Sequence, residues 1–245
     1  MHYFLSDFHL GVPTHAKSLE REKQVVAFLD SIKHNAEAIY FVGDLFDFWF
    51  EHTYTVPKGF VRLLGKMAEL ADSGITIHIF TGNHDMWMFD YLEQEIGAKI
   101  HRQSITLNLN GKKLLVGHGD GLGPRDYGYK FIKQVFANPV CQWLFARLHP
   151  NFSFGLANFW SRRSRVANGD SDEVYHGDDK EFLMVYCNEI ADRDSIDYFI
   201  FGHRHLPLDK KVGKHSRYIN LGDWIRYYTY ASWDGKELLL KEWKT

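Results

Sequence analysis

Strands that alternate with helices at the start of the chain limit its fold more than any other feature of the sequence. Residues 2–6, 38–42 and 75–80 are apolar runs of strand length. Between them, residues 19–32 and 59–71 place apolar side chains at helical spacing. Because parallel neighbours in a sheet need a crossover connection, this alternation predicts a buried parallel sheet and an α/β fold.

The second half of the chain predicts further strands and a helical segment. Asn110-Gly111 marks a hairpin turn between two short strand-like runs, and a helix near 180–191 precedes a strand at 197–201. The tail from Arg217 alternates as an antiparallel set does, with a turn at Asp234-Gly235. Residues 126–166 are aromatic, mostly helical and without strand character. We therefore expect one α/β sandwich domain, residues 1–245, that carries a helical insertion at about 126–166.

Composition excludes several classes of protein. The net charge of −2 gives no overall positive potential, so we expect no nucleic-acid partner. Two cysteines are too few for a disulfide framework and suit a reducing compartment. The first residues lack the basic start of a signal peptide, and no apolar run approaches the roughly 20 residues of a membrane helix. We expect a cytoplasmic protein.

Five short polar islands follow predicted strands, and they contain the residues most suited to chemistry. They are Asp7-Phe8-His9, Gly43-Asp44, Gly82-Asn83-His84-Asp85, Gly117-His118 and Gly202-His203-Arg204-His205. Polar residues just past the carboxyl ends of parallel strands gather at one edge of an open α/β sheet. Side chains two apart on an extended segment point the same way, so the first and last islands each present two ligands to one side.

Together the islands predict a metal site. Carboxylate, amide and imidazole ligands without cysteine suit Mn, Fe or Zn. A carboxylate can bridge two ions about 3.5 to 4 Å apart, whereas an imidazole cannot. Taken singly, His118 reads as an ordinary histidine and Asp7 as a helix cap; the ordered series favours the metal site. Asp85 and Asp120 follow island residues, and we expect them to accept the second ring N–H of ligand histidines.

The motifs DFH, GDLFD, GNHD, GHGD and GHRH occur in this order across residues 7–205. In this series the chain resembles the calcineurin-like metallophosphoesterase superfamily, whose pattern is D-x-H, G-D-x-x-D, G-N-H-D/E, a histidine and G-H-x-H. The resemblance implies a metallophosphoesterase-type ββ-sandwich flanked by helices (αββα), with the helical insertion as a cap. It also implies a metal-dependent hydrolase of phosphoesters or phosphoric anhydrides.

The same resemblance implies a role for each motif residue. One metal ion would be held by Asp7, His9, Asp44 and His205, and the second by Asp44, Asn83, His118 and His203, with Asp44 bridging. His84 would stabilise the transition state or protonate the leaving oxygen, beside Asn83 in the same catalytic motif. In the superfamily two divalent ions activate water for in-line attack on phosphorus. Mn²⁺ is the first choice here, with Fe or Zn as alternatives.

Three further stretches, GDLFDFW, GHGDGLGPRDYGYKF and SRRSRVAN, resemble the UDP-2,3-diacylglucosamine hydrolase family of lipid A biosynthesis. This resemblance implies Mn²⁺-dependent attack at the α-phosphorus of UDP-2,3-diacylglucosamine. The products would be UMP and 2,3-diacylglucosamine 1-phosphate (lipid X). It also implies that Asp126, Tyr129 and Ser164 contact the substrate.

Two positions depart from the hydrolase family. Its well-studied members carry Arg where this chain has His84, and commonly Glu where it has Asp47. These departures leave open a related metallophosphoesterase that acts on a nucleotide or another small phosphodiester or phosphomonoester. A non-enzymatic scaffold that has lost its metals is a third class, and the presence of all seven ligand residues argues against it.

Residues 139–166 mix aromatic side chains with Arg162, Arg163 and Arg165. Aromatics such as Trp143 and Phe159 suit an apolar groove or a membrane surface, where a two-tailed lipid resides. Guanidinium groups suit its phosphates. We therefore expect a nucleotide-activated glycolipid substrate, peripheral association with the cytoplasmic face of the inner membrane, and no obligate protein partner. The alternative is that the aromatics pack the insertion onto the core and that the arginines form a solvated face.

Overall fold

Two β-sheets and their flanking helices make up the residues that the computed structural model describes: 1–124, 127–157, 159, 174, 175 and 177–244. The strands are β1 (His2–Leu5), β2 (Ala38–Val42), β3 (Thr76–Phe80), β4 (Lys99–His101), β5 (Ile105–Leu109), β6 (Lys112–Gly117), β7 (Tyr198–Phe201), β8 (Pro207–Val212), β9 (Ser216–Leu221), β10 (Thr229–Trp233) and β11 (Leu238–Glu242). The helices are α1 (His15–Ile32), α2 (Val61–Asp72), α3 (Tyr91–Ile96), α4 (Tyr127–Ala137), α5 (Pro139–Ala146) and α6 (Phe182–Arg193). Further helical turns cover 150–157.

The first sheet has the order β11-β10-β1-β2-β3-β4. Strands β1 to β4 are parallel, which confirms the parallel sheet predicted from the alternation of strands and helices. β2 is buried along its whole length. One face of the strand packs against the helices, as Phe41 does with Phe28 of α1. The other faces the second sheet, where Tyr40 shares a core with Ile219 of β9.

The second sheet has the order β5-β6-β7-β9-β8, with β6, β7 and β9 parallel. The predicted hairpin at Asn110-Gly111 joins β5 and β6 in antiparallel register. Apolar side chains of both sheets meet between them, among them Phe4, Val116 and Ile200. α6 packs on the outer face of the second sheet. The two-sheet, helix-flanked sandwich implied by the sequence is therefore confirmed.

The tail does not form the single antiparallel set that its alternation predicted. β9 lies in the second sheet beside β7 and β8, whereas β10 and β11 are antiparallel strands of the first sheet. The alternation of side chains identifies a strand but does not say which sheet receives it. Three other elements, α3, the three-residue strand β4 and β8, were not predicted. α3 and β4 are too short for a periodic pattern, and β8 (PLDKKV) begins with proline and has few apolar side chains.

The segment predicted as a helical insertion has one face on the core and one in solvent. The Phe145 ring lies 4.8 Å from that of Phe50 and 5.0 Å from that of Trp87, and the Phe154 ring lies 5.4 Å from that of Phe48. In the described part of this segment, the exposed large apolar side chains are Tyr127, Phe131, Ile132, Val135, Val140, Trp143, Leu144, Phe152 and Phe159. Among the described residues of this segment, some aromatic side chains therefore pack on the core and others form an exposed apolar surface.

Several residues singled out in the sequence lie outside the described part of the chain: Asp126, Arg162, Arg163, Ser164 and Arg165. Among the described residues, no helix has both the length and the apolar character needed to cross a bilayer.

Candidate active site

Side chains from all five polar islands converge at one edge of the two sheets. Asp7 and His9 follow β1, Asp44 follows β2, Asn83 follows β3, His118 follows β6, and His203 and His205 follow β7. The carboxyl ends of parallel strands share an edge, and these residues occupy it. The structure thus brings together all seven side chains that the resemblance implied as metal ligands.

Asp7, His9 and His205 form a first group. His9 Nε2 lies 3.2 Å from His205 Nε2, and Asp7 Oδ1 lies 3.8 Å from the former and 3.4 Å from the latter. The other ring nitrogen of His205, Nδ1, faces Asp223 Oδ2 at 3.4 Å. A carboxylate on one ring nitrogen orients the other nitrogen toward a metal ion. One oxygen and two nitrogens therefore face a common point.

Asn83, His118 and His203 form a second group, together with Asp44. Asn83 Oδ1 lies 3.2 Å from His118 Nε2 and 2.9 Å from His203 Nδ1. His118 Nδ1 donates to the carbonyl oxygen of Val42 at 2.9 Å. That bond places the proton of the neutral ring on Nδ1, so Nε2 faces the group as the nitrogen able to bind a cation.

Asp44 lies between the two groups. Its Oδ2 is 3.6 Å from His9 Nε2 in the first group and 3.3 Å from His118 Nε2 in the second. Its Oδ1 accepts the backbone N–H of His84 at 2.9 Å, which fixes the orientation of the carboxylate. A carboxylate in this position can contact a cation in each group.

Five of these side chains project from strained backbone. Asp7, His9, Asp44, His203 and His205 have φ values from 44° to 68°, in the left-handed region that non-glycine residues avoid. Each such residue costs roughly 1–3 kcal/mol and persists only where its surroundings hold it, typically at a functional site. The expectation of extended segments was therefore wrong. Asp7 and His9 nevertheless face one group, as predicted, whereas His203 and His205 face different groups.

Two glycines are required by the close approach of these carboxylates. A Cβ at Gly82 would lie 2.1 Å from Asp44 Oδ1, and a Cβ at Gly202 would lie 2.5 Å from Asp7 Oδ2. Any side chain at either position would displace a carboxylate of the site. This explains the glycines of the GNHD and GHRH motifs.

Buried charged residues hold the strained loops in place. Asp85 accepts the N–H groups of Leu45 and Gly82, each at 2.8 Å. It therefore fixes the Asp44 loop and does not accept a histidine ring N–H as predicted. Arg21 of α1 donates from Nη1 to the carbonyl oxygens of Phe8 and His9 at 2.8 and 2.9 Å. The loop that carries His9 is thus anchored by a helix.

Asp223 and Arg21 contact residues of the candidate site and were not predicted from the sequence. Asp223 contacts His205 in the way predicted for Asp85 and Asp120. It follows Gly222 directly after β9, and this Gly-Asp pair after a strand, as at Asp44, is the signal that could have revealed it. Arg21 lies within a helix and is marked by no motif.

Buried carboxylates control the protonation of the histidines at the site. Burial alone would lower the pKa of His9, but its interactions with Asp47 and Asp7 raise that pKa to about 10. Burial acts in the same way on His118, and the charge of Asp44 raises its pKa to about 10. The buried carboxylates therefore favour positive charge here. Two divalent cations would supply it, and oxygen and nitrogen donors without a thiolate suit Mn, Fe or Zn.

His84 lies beside the first group, with a ring nitrogen close to ligand atoms of His9 and Asp44. Its Nδ1 donates to the backbone carbonyl oxygen of Asp47 at 3.0 Å, and burial lowers its pKa. Asp47 Oδ1 stands 3.7 Å from His9 Nδ1 and 3.8 Å from His84 Nδ1. This carboxylate therefore lies behind both rings, outside the two groups.

Tyr129, a predicted substrate-binding residue, contacts a neighbouring loop of the site. Its hydroxyl donates to Asp120 Oδ2 at 2.5 Å, and Lys133 Nζ donates to the same oxygen at 2.6 Å. Both residues belong to α4, so Asp120 attaches this helix to the loop of His118. Asp120 was expected to accept a histidine ring N–H and instead binds α4.

A cavity of ≈ 870 Å³ adjoins Asp47 and Phe48 and lies between α1, the loop at 55–60 and the helical turns at 150–157. Its apolar lining includes Leu10, Leu19, Val56, Phe60 and Phe154. His15, Lys58 and Asn151 also line it. Two buried polar side chains in the wall already accept backbone N–H groups: Ser18 Oγ at 2.8 Å, and Glu22 Oε1 at 2.8 and 3.0 Å. The apolar part of the lining is suited to an aliphatic ligand.

The sequence of this chain matches one protein family over most of its length. The family model for calcineurin-like phosphoesterases matches residues 3–207. The UDP-2,3-diacylglucosamine hydrolase of Porphyromonas gingivalis is 44% identical over 255 residues, which cover 98% of this chain and 96% of that protein. The UDP-2,3-diacylglucosamine hydrolase of Actinobacillus succinogenes is 26% identical over 91% of each chain. Among solved structures, the phosphoesterase YfcE from E. coli aligns at 15% identity and a TM-score of 0.45, over 94% of this chain and 86% of that one.

Proposed function

The chain belongs to the calcineurin-like phosphoesterase family, and from this premise we propose that it hydrolyses the pyrophosphate of UDP-2,3-diacylglucosamine. The products would be UMP and 2,3-diacylglucosamine 1-phosphate. The observation that carries a two-metal reaction is the position of Asp44 Oδ2, 3.6 Å from His9 Nε2 and 3.3 Å from His118 Nε2. The choice of substrate is supported by the 44% identity with the P. gingivalis hydrolase.

Two divalent ions, which we take to be Mn²⁺, would occupy the two groups; the donors also fit Fe and Zn. Asp7, His9, Asp44 and His205 would hold one, and Asp44, Asn83, His118 and His203 the other. When bound, the ions would neutralise charge on the phosphoryl oxygens and lower the pKa of water. The bonds of His118 to Val42 and of His205 to Asp223 keep the ligand nitrogens aimed at their groups.

His84 would act on the leaving group. Burial lowers the pKa of its ring in the free protein, and the negative charge of a bound pyrophosphate would raise that pKa again. With Nδ1 held by the carbonyl oxygen of Asp47, the protonated ring would donate from Nε2 to the oxygen that departs with the 1-phosphate. A donor aimed at developing charge lowers the barrier without reorganising in the transition state.

The apolar cavity would receive an acyl chain of the substrate. Asp47 and Phe48 are part of its lining, and the carbonyl oxygen of Asp47 is bonded to His84, which faces the leaving group in this mechanism. That leaving group carries both acyl chains. The volume of the cavity, ≈ 870 Å³, is within the usual range for ligand sites. The buried side chains of Ser18 and Glu22 in its wall already have hydrogen-bond partners, as an aliphatic occupant requires.

We further propose that the enzyme acts in the cytoplasm on the surface of the inner membrane. The exposed apolar face of the insertion, with Phe131, Trp143 and Phe152, has the character of an interfacial segment. Arg147 lies over the Trp143 ring at 4.7 Å and adds positive charge beside it. A lipid substrate is most accessible to a protein at that surface.

Filling the cavity should weaken binding of the lipid alone. Leu19 lines the cavity from α1, and we expect Leu19→Trp to raise KM for UDP-2,3-diacylglucosamine roughly tenfold or more. The KM for bis(p-nitrophenyl) phosphate, which has no acyl chain, should not change. Leu239→Trp, at an exposed position on β11, is the control. Equal losses on both substrates would show that the cavity does not receive the lipid.

Product analysis tests the proposed function directly. The protein is incubated with UDP-2,3-diacylglucosamine and Mn²⁺, and mass spectrometry should find UMP and 2,3-diacylglucosamine 1-phosphate in equal amounts. Hydrolysis of small phosphodiesters without release of UMP from the lipid would favour the alternative, a related phosphoesterase that acts on a small substrate. That alternative is motivated by His84, which stands where the hydrolase family carries Arg.

A further inference from the structure

Arg204 is a buried charged residue with no task in the reaction described above. It lies between His203 and His205 in the GHRH motif and is 7% exposed. Its Nε donates to both carboxylate oxygens of Glu181 at 3.0 Å, and Glu181 is 2% exposed. The guanidinium also reaches the carbonyl oxygen of Val174 at 3.4 Å. The ion pair therefore attaches a loop of the candidate metal centre to the chain that leads into α6.

The backbone on both sides of Arg204 is strained. The φ angle is 68° at His203 and 52° at His205. Residues in this region return to ordinary conformations unless tertiary contacts hold them. The N–H of His203 is bonded to Asp7 Oδ2 at 3.0 Å at one end of the loop. The contact between Arg204 and Glu181 anchors its middle.

The two histidines beside Arg204 belong to different groups of the centre. His203 Nδ1 is 2.9 Å from Asn83 Oδ1 in the second group, and His205 Nε2 is 3.4 Å from Asp7 Oδ1 in the first. A shift of Arg204 therefore moves one ligand of each group. Desolvation largely offsets the attraction in a buried ion pair, so its contribution to net stability is small. The buried ion pair is better explained by its effect on the position of the loop that carries His203 and His205.

We propose that Arg204, held by Glu181, is a positioning residue that sets the metal affinity of both groups. The inference rests on the metal centre of the proposed function. Outer partners of metal ligands typically change metal affinity by roughly 10- to 100-fold when removed. Arg204 is likewise not a ligand itself, and it acts through the backbone that carries His203 and His205.

Calorimetric titration of the full chain with Mn²⁺ tests this inference. We expect Arg204→Met to weaken Mn²⁺ binding roughly 10- to 100-fold, and turnover to recover at saturating Mn²⁺ because the ligands are intact. Glu181→Gln should weaken binding less, since the amide keeps an acceptor for the guanidinium. Arg217→Met is the matched control: Arg217 pairs with Asp209 on the second sheet, away from the centre, and its loss should leave Mn²⁺ affinity unchanged.

Unchanged Mn²⁺ affinity in both Arg204→Met and Glu181→Gln would overturn the inference, whatever happens to their melting temperatures. A wild-type chain that binds no Mn²⁺ would instead overturn the proposed function. If Arg204→Met does not fold, the Mn²⁺ affinity of Arg204→Lys tests the proposal instead. Lysine keeps the charge but cannot reproduce the planar guanidinium contact, so it should bind Mn²⁺ more weakly than wild type, and equal affinity would contradict the proposal.

Discussion

Replacing Asp44 with alanine is expected to lower kcat by roughly 10⁴-fold or more, about 5.4 kcal/mol of transition-state stabilisation. Its Oδ2 is placed between the two groups, 3.6 Å from His9 Nε2 and 3.3 Å from His118 Nε2. Loss of this oxygen removes a ligand from both proposed ions at once. It also leaves two buried imidazoles without the carboxylate between them. No other single substitution at the site should cost as much.

Turnover of UDP-2,3-diacylglucosamine and the manganese content of the purified protein check this prediction together. The wild type should carry two ions per chain and Asp44→Ala one or none. Asp209→Ala, in a surface pair with Arg217, controls for the loss of a carboxylate elsewhere. An Asp44→Ala variant with normal turnover would show that the centre does not work through two bridged ions.

His84→Ala is expected to lower kcat about 10²- to 10⁴-fold while leaving the manganese content at two ions per chain. His84 is oriented by its bond to the carbonyl oxygen of Asp47 and stands edge-to-face against His9. It supplies a donor to the leaving oxygen in this mechanism without being one of the proposed ligands. The effect should therefore fall on the chemical step.

His84→Arg tests whether a positively charged donor at this position is sufficient or whether the imidazole ring itself is required. Arginine restores a permanent donor at this position, so we expect this variant to regain most of the activity lost in His84→Ala. His84→Gln, neutral and of similar size, should stay close to His84→Ala. Steady-state kinetics with UDP-2,3-diacylglucosamine provides the measurement. Activity of His84→Ala equal to that of the wild type would remove His84 from the mechanism.

The positions of the candidate ligands could be predicted because each follows a strand, and strand ends of an α/β sheet meet at one edge. The stretch 39–50 illustrates the point. Of its two carboxylates, Asp44 lies between the two groups and Asp47 lies behind His9 and His84. Its aromatic side chains also differ in their surroundings. Trp49 is fully buried in the core, whereas Phe48 and Phe50 pack against the insertion.

The supporting residues could not be predicted in the same way. Arg21 reads as one more polar position of an amphipathic helix, and its bonds to the loop at 8–12 depend on where that loop runs. The left-handed conformations of Asp7 and His203 are likewise set by tertiary contacts and not by local propensity. For the insertion, helical spacing predicts the helices but does not reveal which face of each helix packs on the core.

Hydrolysis of UDP-2,3-diacylglucosamine in water enriched in oxygen-18 tests the central claim most directly, because it identifies both the substrate and the phosphorus atom attacked. With Mn²⁺ present, we predict one oxygen-18 atom in UMP and none in 2,3-diacylglucosamine 1-phosphate. Oxygen-18 in the 1-phosphate would show that water attacks the phosphorus on the glucosamine side, which would contradict the prediction. Absence of UMP, with small phosphodiesters still hydrolysed, would contradict the assignment of the substrate.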